Sequence, residues 1–279
     1  MTSERAGIET APASARRGIE PGAVTLWLLA ALALVYLIAP LVELLLAEPW
    51  PQVPAALTDP LALDATRVSA LSATITTALV AVVGIPLAYA LARWRFPLRP
   101  LVTGLIFVPL VFPAVVSGIA QLLVYGPYGP VGALFAARGI ELSNSLAGVV
   151  LAQSFVAAPF AVVAARSAFE AVDAQTEAVA QTLGASRWRV FWTISLPQAW
   201  SGALAGLALT WLRAFGEFGA TAVMAYHPYT LPVYVYVQLT GLGAPAALPL
   251  ALVALAACAV VIGVALLLTR QTRTPGGHP

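Results

Sequence analysis

The sequence predicts an all-α membrane protein, and three observations carry that prediction. Hydrophobic residues make up 60% of the chain and charged residues only 9%, whereas a soluble domain, whose surface faces water, carries about 25% charged residues. The mean hydropathy is +0.89. The apolar residues also fall in blocks: no Asp, Glu, Lys or Arg occurs within 68–92, 100–137, 142–165 or 218–269. Each block can supply the roughly 20 apolar residues that a helix needs to cross a hydrocarbon core of about 30 Å.

Six spans follow in order. Residues 1–23 are polar and rich in Ala, Pro and Arg, the composition of a disordered tail. Arg16-Arg17 precedes an apolar run, as in a twin-arginine signal. The Gly-Ile-Glu-Pro that follows fits such a signal poorly, and the run is as long as a span, so an uncleaved first helix is expected over Val24–Ala47. The second span covers Val68–Trp94, the third Pro100–Tyr125, the fourth Asn144–Phe169, the fifth Gln198–Met224 and the sixth Ala246–Thr269. Pro40, Gly84, Pro86, Pro109, Pro113 and Pro159 fall inside spans, where neighbouring helices can satisfy the freed backbone groups. Tyr226–Leu242 has no formal charge and is broken by Pro228 and Pro232. It is expected as a shallow re-entrant or interfacial piece. Residues 270–279 form a second tail.

Arginine placement orients the chain. All 14 basic residues are Arg, and 11 of them lie before span one, between spans two and three, between four and five, or after six. The alternate loops hold only Arg67 and Arg138. The positive-inside rule then places both termini in the cytoplasm. Tyr125, Tyr128, Tyr226, Tyr229, Tyr234 and Tyr236 fall at the opposite surface, as an aromatic belt does.

A formal charge of +2 is too small to suggest a nucleic-acid partner. Cys258 is the only cysteine and reads as a small apolar side chain within a span. His227 and His278 fall on opposite sides of the membrane, so no metal site is expected. A membrane enzyme would need His-Glu-x-x-His, a Gly-x-Ser-x-Gly elbow or paired intramembrane aspartates, none of which occurs. An ion-coupled secondary transporter is a further alternative, one that would need no ATPase partner.

The cytoplasmic segment between spans four and five, residues 173–197, carries the strongest motif. Asp173 or Thr176 can cap a short helix over Glu177–Leu183, with acid at its start suiting the helix dipole. Gly184 is a natural stop and Pro197 fits the first turn of span five. Helix, sharp turn, helix is the expectation.

Glu177-Ala178-Val179-Ala180, then Gly184 and Ala185, then Ile194-Ser195-Leu196-Pro197 with nine residues between the glycine and Ile194, resembles the EAA loop of ABC importer permeases. Val179 departs from the family's usual Ala. The resemblance covers about Thr66–Thr269, leaving span one outside a five-helix core of 66–269. It implies a type I importer permease fold. It makes Glu177, Ala178, Val179, Ala180, Gly184, Ala185, Ile194, Leu196 and Pro197 the coupling loop that docks on a cytoplasmic ATPase subunit. It also implies a second permease copy and a periplasmic or lipid-anchored substrate-binding protein, in the cell inner membrane. The chain has no Gly-x-x-x-x-Gly-Lys-Ser/Thr loop, so ATP and magnesium belong to the partner and no cofactor is expected here.

Arg213 and Glu217 are the only charged residues between Arg189 and Arg270. Four apart on a helix, they are close enough to pair. At about 1.5 Å per residue from Pro197 they lie about 24 and 30 Å along span five. Arg213-Ala-Phe-Gly-Glu217-Phe-Gly-Ala-Thr221 resembles the span-five signature of molybdate and sulfate permeases. Ala225-Tyr-His-Pro-Tyr-Thr-Leu-Pro-Val233 is most similar to the molybdate/tungstate branch, with sulfate or thiosulfate as the alternative cargo. Two readings stay open: Arg213, Glu217 and Thr221 line the translocation path, or the charged pair only locks helices together. Ser117, Gln121, Gln153, Ser154 and Thr210 likewise face either a pore or a neighbouring helix.

Overall fold

A computed structural model describes residues 21–47 and 50–271. The expected tails over 1–20 and 272–279, with Arg16, Arg17 and His278, lie outside the described residues. Contacts divide the chain into two units, one ending at Ala47 and one beginning at Glu48. No strand occurs among the described residues.

The first unit contributes α1 (Pro21–Leu46), which starts at a proline and carries Pro40 within it. Its segment Val24–Leu46 is long and apolar enough to cross a bilayer. Leu, Val and Ile are exposed along it, the pattern of a helix that lipid rather than water should cover.

The second unit opens with a tight turn at Trp50–Gln52 and α2 (Val53–Thr58). The helix α3 (Pro60–Arg93) starts well before the expected Val68. Asp59 caps it by accepting the Leu61 N–H, and Pro60 suits a first turn. Hydropathy marks where α3 becomes apolar, not where it begins.

The third expected span is two helices, α4 (Arg99–Val111) and α5 (Ala114–Tyr125), bent by 117°. Pro113 lacks an N–H and disfavours helical geometry at Phe112, whose ψ is 129°. After α6 (Gly132–Ala136) comes α7 (Leu146–Ala171), capped by Ser145. There follow α8 (Ala174–Thr182), α9 (Arg187–Val190), a π-helical turn (Phe191–Ser195) and α10 (Leu196–Phe215). The fifth expected span is also broken: α10 stops at Gly216 and α11 occupies Gly219–Met224. The chain ends in α12 (Leu231–Leu242) and α13 (Ala244–Gln271). At 12 residues α12 is too short to span, as expected for Tyr226–Leu242.

By length and composition four helices can cross a membrane (α1, α3, α7 and α13), or five spans if the bent pair α4–α5 is one. The helix α10 is not among them, because its 20 residues include Gln198, Trp200, Trp211 and Arg213.

Helices α3, α7 and α10 make the packed centre. The α7–α10 contact depends on small residues: a Cβ on Gly202 would lie 2.5 Å from Ala168 Cβ, and one on Gly206 2.8 Å from Ala164 Cβ. Close backbone approach of this kind replaces the hydrophobic drive that lipid cannot supply. Polar groups join the same helices. The Gln153 amide donates to Ser72 Oγ (3.0 Å), Thr76 donates to Gln153 (3.2 Å), and Thr210 donates to the Ala157 carbonyl (3.2 Å). Gln153 and Thr210 are thus buried between helices. α12 is tied back to the start of α3 by Tyr234 donating to Asp59 (2.8 Å) and Leu231 N–H donating to Ser69 Oγ (2.7 Å).

Candidate functional site

The loop over residues 173–197 folds as its residues dictate. Asp173 is the cap of α8: one carboxylate oxygen accepts the Gln175 N–H at 2.9 Å and the other the Thr176 hydroxyl at 3.2 Å. At the other end, Gly184 takes φ +91°. Ala185 N–H reaches the Ala180 carbonyl and Gly184 N–H the Gln181 carbonyl, both at 3.0 Å. These two bonds are the Schellman closure of a helix. Nothing lies within 4 Å of a Cβ built on Gly184, so backbone conformation rather than space demands glycine there. Gly184→Ala is expected to cost about 1–2 kcal/mol in this turn, and the thermal midpoint of the purified protein in detergent checks it.

Past the turn, Ser186 caps α9 by accepting the Arg189 N–H. Pro197 has no N–H to give the Thr193 carbonyl, and the segment Phe191–Ser195 is wound as a π turn before α10.

Glu177 lies inside this arrangement. It is only 4% exposed. Arg93, at the last turn of α3, donates to it through Nε at 3.0 Å and faces it through Nη2 at 2.9 Å. Ser195 donates to the same oxygen at 2.8 Å, and Arg93 also donates to the Val172 carbonyl at 2.7 Å. One carboxylate therefore joins the end of α3, the start of α8 and the entry to α10. The outward face is different: Ala178, Val179, Gly184 and Pro197 are exposed, while Ala180, Ala185, Ile194 and Leu196 are half-buried. Leu183 is 83% exposed, an apolar surface that nothing among the described residues covers.

The second expected site sits at the break between α10 and α11. Arg213, in the last turn of α10, is paired with Glu217 just beyond Gly216. The Arg213 side chain is 31% exposed and that of Glu217 1%. Glu217 also accepts the Ala220 N–H at 2.7 Å, filling one of the donors left open at the start of α11. Thr221 is buried and donates to the Glu217 carbonyl at 2.8 Å, so its hydroxyl serves the break. Opposite α11, Ser117 and Gln121 of α5 are buried, with the Ser117 hydroxyl and the Gln121 amide nitrogen unpartnered among the described residues, as is the Ser154 hydroxyl of α7. His227 is exposed beside Tyr229. No cluster of three or more metal-ligating side chains occurs among the described residues.

Residues 84–274, which contain both sites, match the family described as binding-protein-dependent transport system inner membrane component. The chain belongs to that family. It is therefore a multi-pass membrane permease, and its relatives are permease subunits, not ATPases. A probable molybdenum ABC transporter permease of Haloferax volcanii is 43% identical over 81% of this chain and 82% of its own. A molybdate/tungstate transport system permease of Thermococcus kodakarensis is 40% identical over 70% and 74%. A probable sulfate transport permease of Zygnema circumcarinatum is 33% identical over 64% and 62%. Among solved structures, a chain of a bacterial alginate ABC transporter shares the fold, with a TM-score of 0.69, 17% identity, and coverage of 89% of this chain and 96% of that one.

Sequence reading of this permease missed Arg93 and Ser195, the two partners of the Glu177 carboxylate. Arg93 is 84 residues from Glu177, and no local pattern links them. Ser195 was in view as the free position of Ile194-x-Leu196-Pro197, where only its neighbours drew attention.

Proposed function

We propose that this permease subunit forms the membrane path of an ATP-driven importer for a tetrahedral oxyanion, molybdate or tungstate. Support comes first from the relatives named for molybdate and tungstate, which align over more than two thirds of both chains. In this reading six spans cross the inner membrane with both termini cytoplasmic, α10–α11 acting as the fifth. Two copies meet two ATPase subunits, which carry ATP and magnesium, and a periplasmic or lipid-anchored binding protein delivers the cargo. The exposed face of α8 docks on the ATPase. Closure of the ATPase pair on ATP draws the two α8 helices together and opens the far side; hydrolysis reverses it. ATP drives this only through a differential affinity for the two states.

Arg213 supplies positive potential for a dianion, and Glu217 fixes it at the break. An intramembrane charge is costly and is kept where it faces a wet path or a partner. Its partly exposed guanidinium favours a role beyond locking helices.

The test is reconstitution with the ATPase and binding protein. Molybdate- or tungstate-loaded binding protein is expected to stimulate ATP hydrolysis several-fold more than sulfate-loaded protein. Stimulation by sulfate alone would move the cargo to the second reading, which the sulfate permease relative favours. No co-purifying ATPase would remove the ABC mechanism.

A further inference from the structure

Two adjoining cavities flank the end of α3, and they differ in character. One, of about 450 Å³, is lined by Arg93, Arg95 and Arg187, with Glu177 and Gln181 on its α8 wall. Glu177 is already engaged by Arg93. Arg95 and Arg187 form no ion pair among the described residues, so the cavity carries an uncompensated positive charge. The other, of about 110 Å³, is apolar and lined by Pro86, Trp188 and Phe191. Tyr89, Trp94 and Arg187 line both. Pro86 lies seven residues before Arg93, about 10 Å deeper along α3.

A basic chamber at a helix end beside an apolar slot that reaches back along α3 to Pro86 has the polarity of one ligand class. The geometry points to an anionic phospholipid bound here, its phosphate between Arg95 and Arg187 and the upper part of an acyl chain against Pro86 and Trp188. Exposed Trp94 (47%), Trp188 (66%) and Trp192 (50%) ring the same place, and tryptophan collects at membrane–water interfaces. Basic pockets between spans on the cytoplasmic side suit such headgroups. A free phosphate-type anion would use the chamber and leave the slot without purpose. Because Glu177 and Gln181 belong to α8, a lipid seated here touches the coupling helix and makes its position sensitive to membrane composition. The inference rests on the cytoplasmic placement of this loop proposed above.

The experiment uses the full permease–ATPase complex in neutral detergent, titrated with dioleoyl phosphatidylglycerol or dioleoyl phosphatidylcholine and read by native mass spectrometry. Wild type is expected to hold phosphatidylglycerol at least tenfold more tightly than phosphatidylcholine. The double variant Arg95→Gln/Arg187→Gln should weaken phosphatidylglycerol binding about 30-fold, from the loss of two interfacial charges. Arg95→Lys/Arg187→Lys should restore most of it, which separates lost charge from misfolding. Equal phosphatidylglycerol affinity in wild type and the Gln variant overturns the proposal. So does displacement of the lipid by millimolar inorganic phosphate, which marks a free-anion site. Release of the ATPase by the Gln variant with its lipid retained also overturns it, assigning these arginines to the subunit contact. If wild type fails to co-purify with an ATPase, the placement of the loop fails instead, a separable result.

Discussion

Glu177→Ala is expected to abolish coupled transport while leaving the permease in the membrane. Removing one partner of a buried ion pair costs about 3–5 kcal/mol, because the other charge stays behind unpaired. Here that charge is Arg93, whose side chain is only 14% exposed. The loss falls on the joint between α3, α8 and α10, since the carboxylate gathers Arg93 and Ser195 at one point. Basal ATPase of the partner should persist, and its stimulation by loaded binding protein should fall at least tenfold. Glu177→Gln keeps an acceptor for both donors and should be intermediate. Stimulation by Glu177→Ala within twofold of wild type would show that the joint does not depend on this carboxylate.

Gly206→Leu is expected to prevent assembly of the helical core. A Cβ at this position already lies 2.8 Å from Ala164 Cβ and 3.1 Å from Ala161 Cα. Space cannot be found by rotating a side chain, so α7 and α10 must move apart. Overpacking costs typically about 1–3 kcal/mol, and loss of the close contact along α7–α10 adds to it. The yield of folded protein in detergent and its thermal midpoint should both drop sharply. Gly104→Leu is the control, because nothing lies within 4 Å of a Cβ there. Equal losses in the two variants would mean that added bulk, not the α7–α10 approach, is responsible.

Apolar blocks located α1, α7 and α13 to within a few residues, and α3 except for its first two turns, because lipid imposes a composition that a sequence cannot hide. They failed at Phe112-Pro113, where hydropathy runs on unbroken while the backbone turns, and at Gly216, where the helix break falls between Arg213 and Glu217. Proline is tolerated inside membrane helices, so Pro113 did not by itself mark a break. Asp173 and Gly184 were legible because caps and left-handed turns are local chemistry. The inward turn of Glu177 was not, because its partners come from α3 and from the π turn before α10. Thr221 sits beside the expected path by sequence, yet its hydroxyl is used by the Glu217 carbonyl.

The 117° bend between α4 and α5 also constrains how the chain enters a bilayer. With 13 and 12 residues, the two pieces are about 20 and 18 Å long, each short of a hydrocarbon core of about 30 Å. Neither can be threaded and released into lipid as an independent segment, because the corner would leave bare peptide groups in oil. The corner becomes tolerable once α5 is sheltered by α7 and α11, which leave the ribosome later. Shelter for this corner in a bilayer therefore depends on contacts with residues about a hundred positions further along the chain.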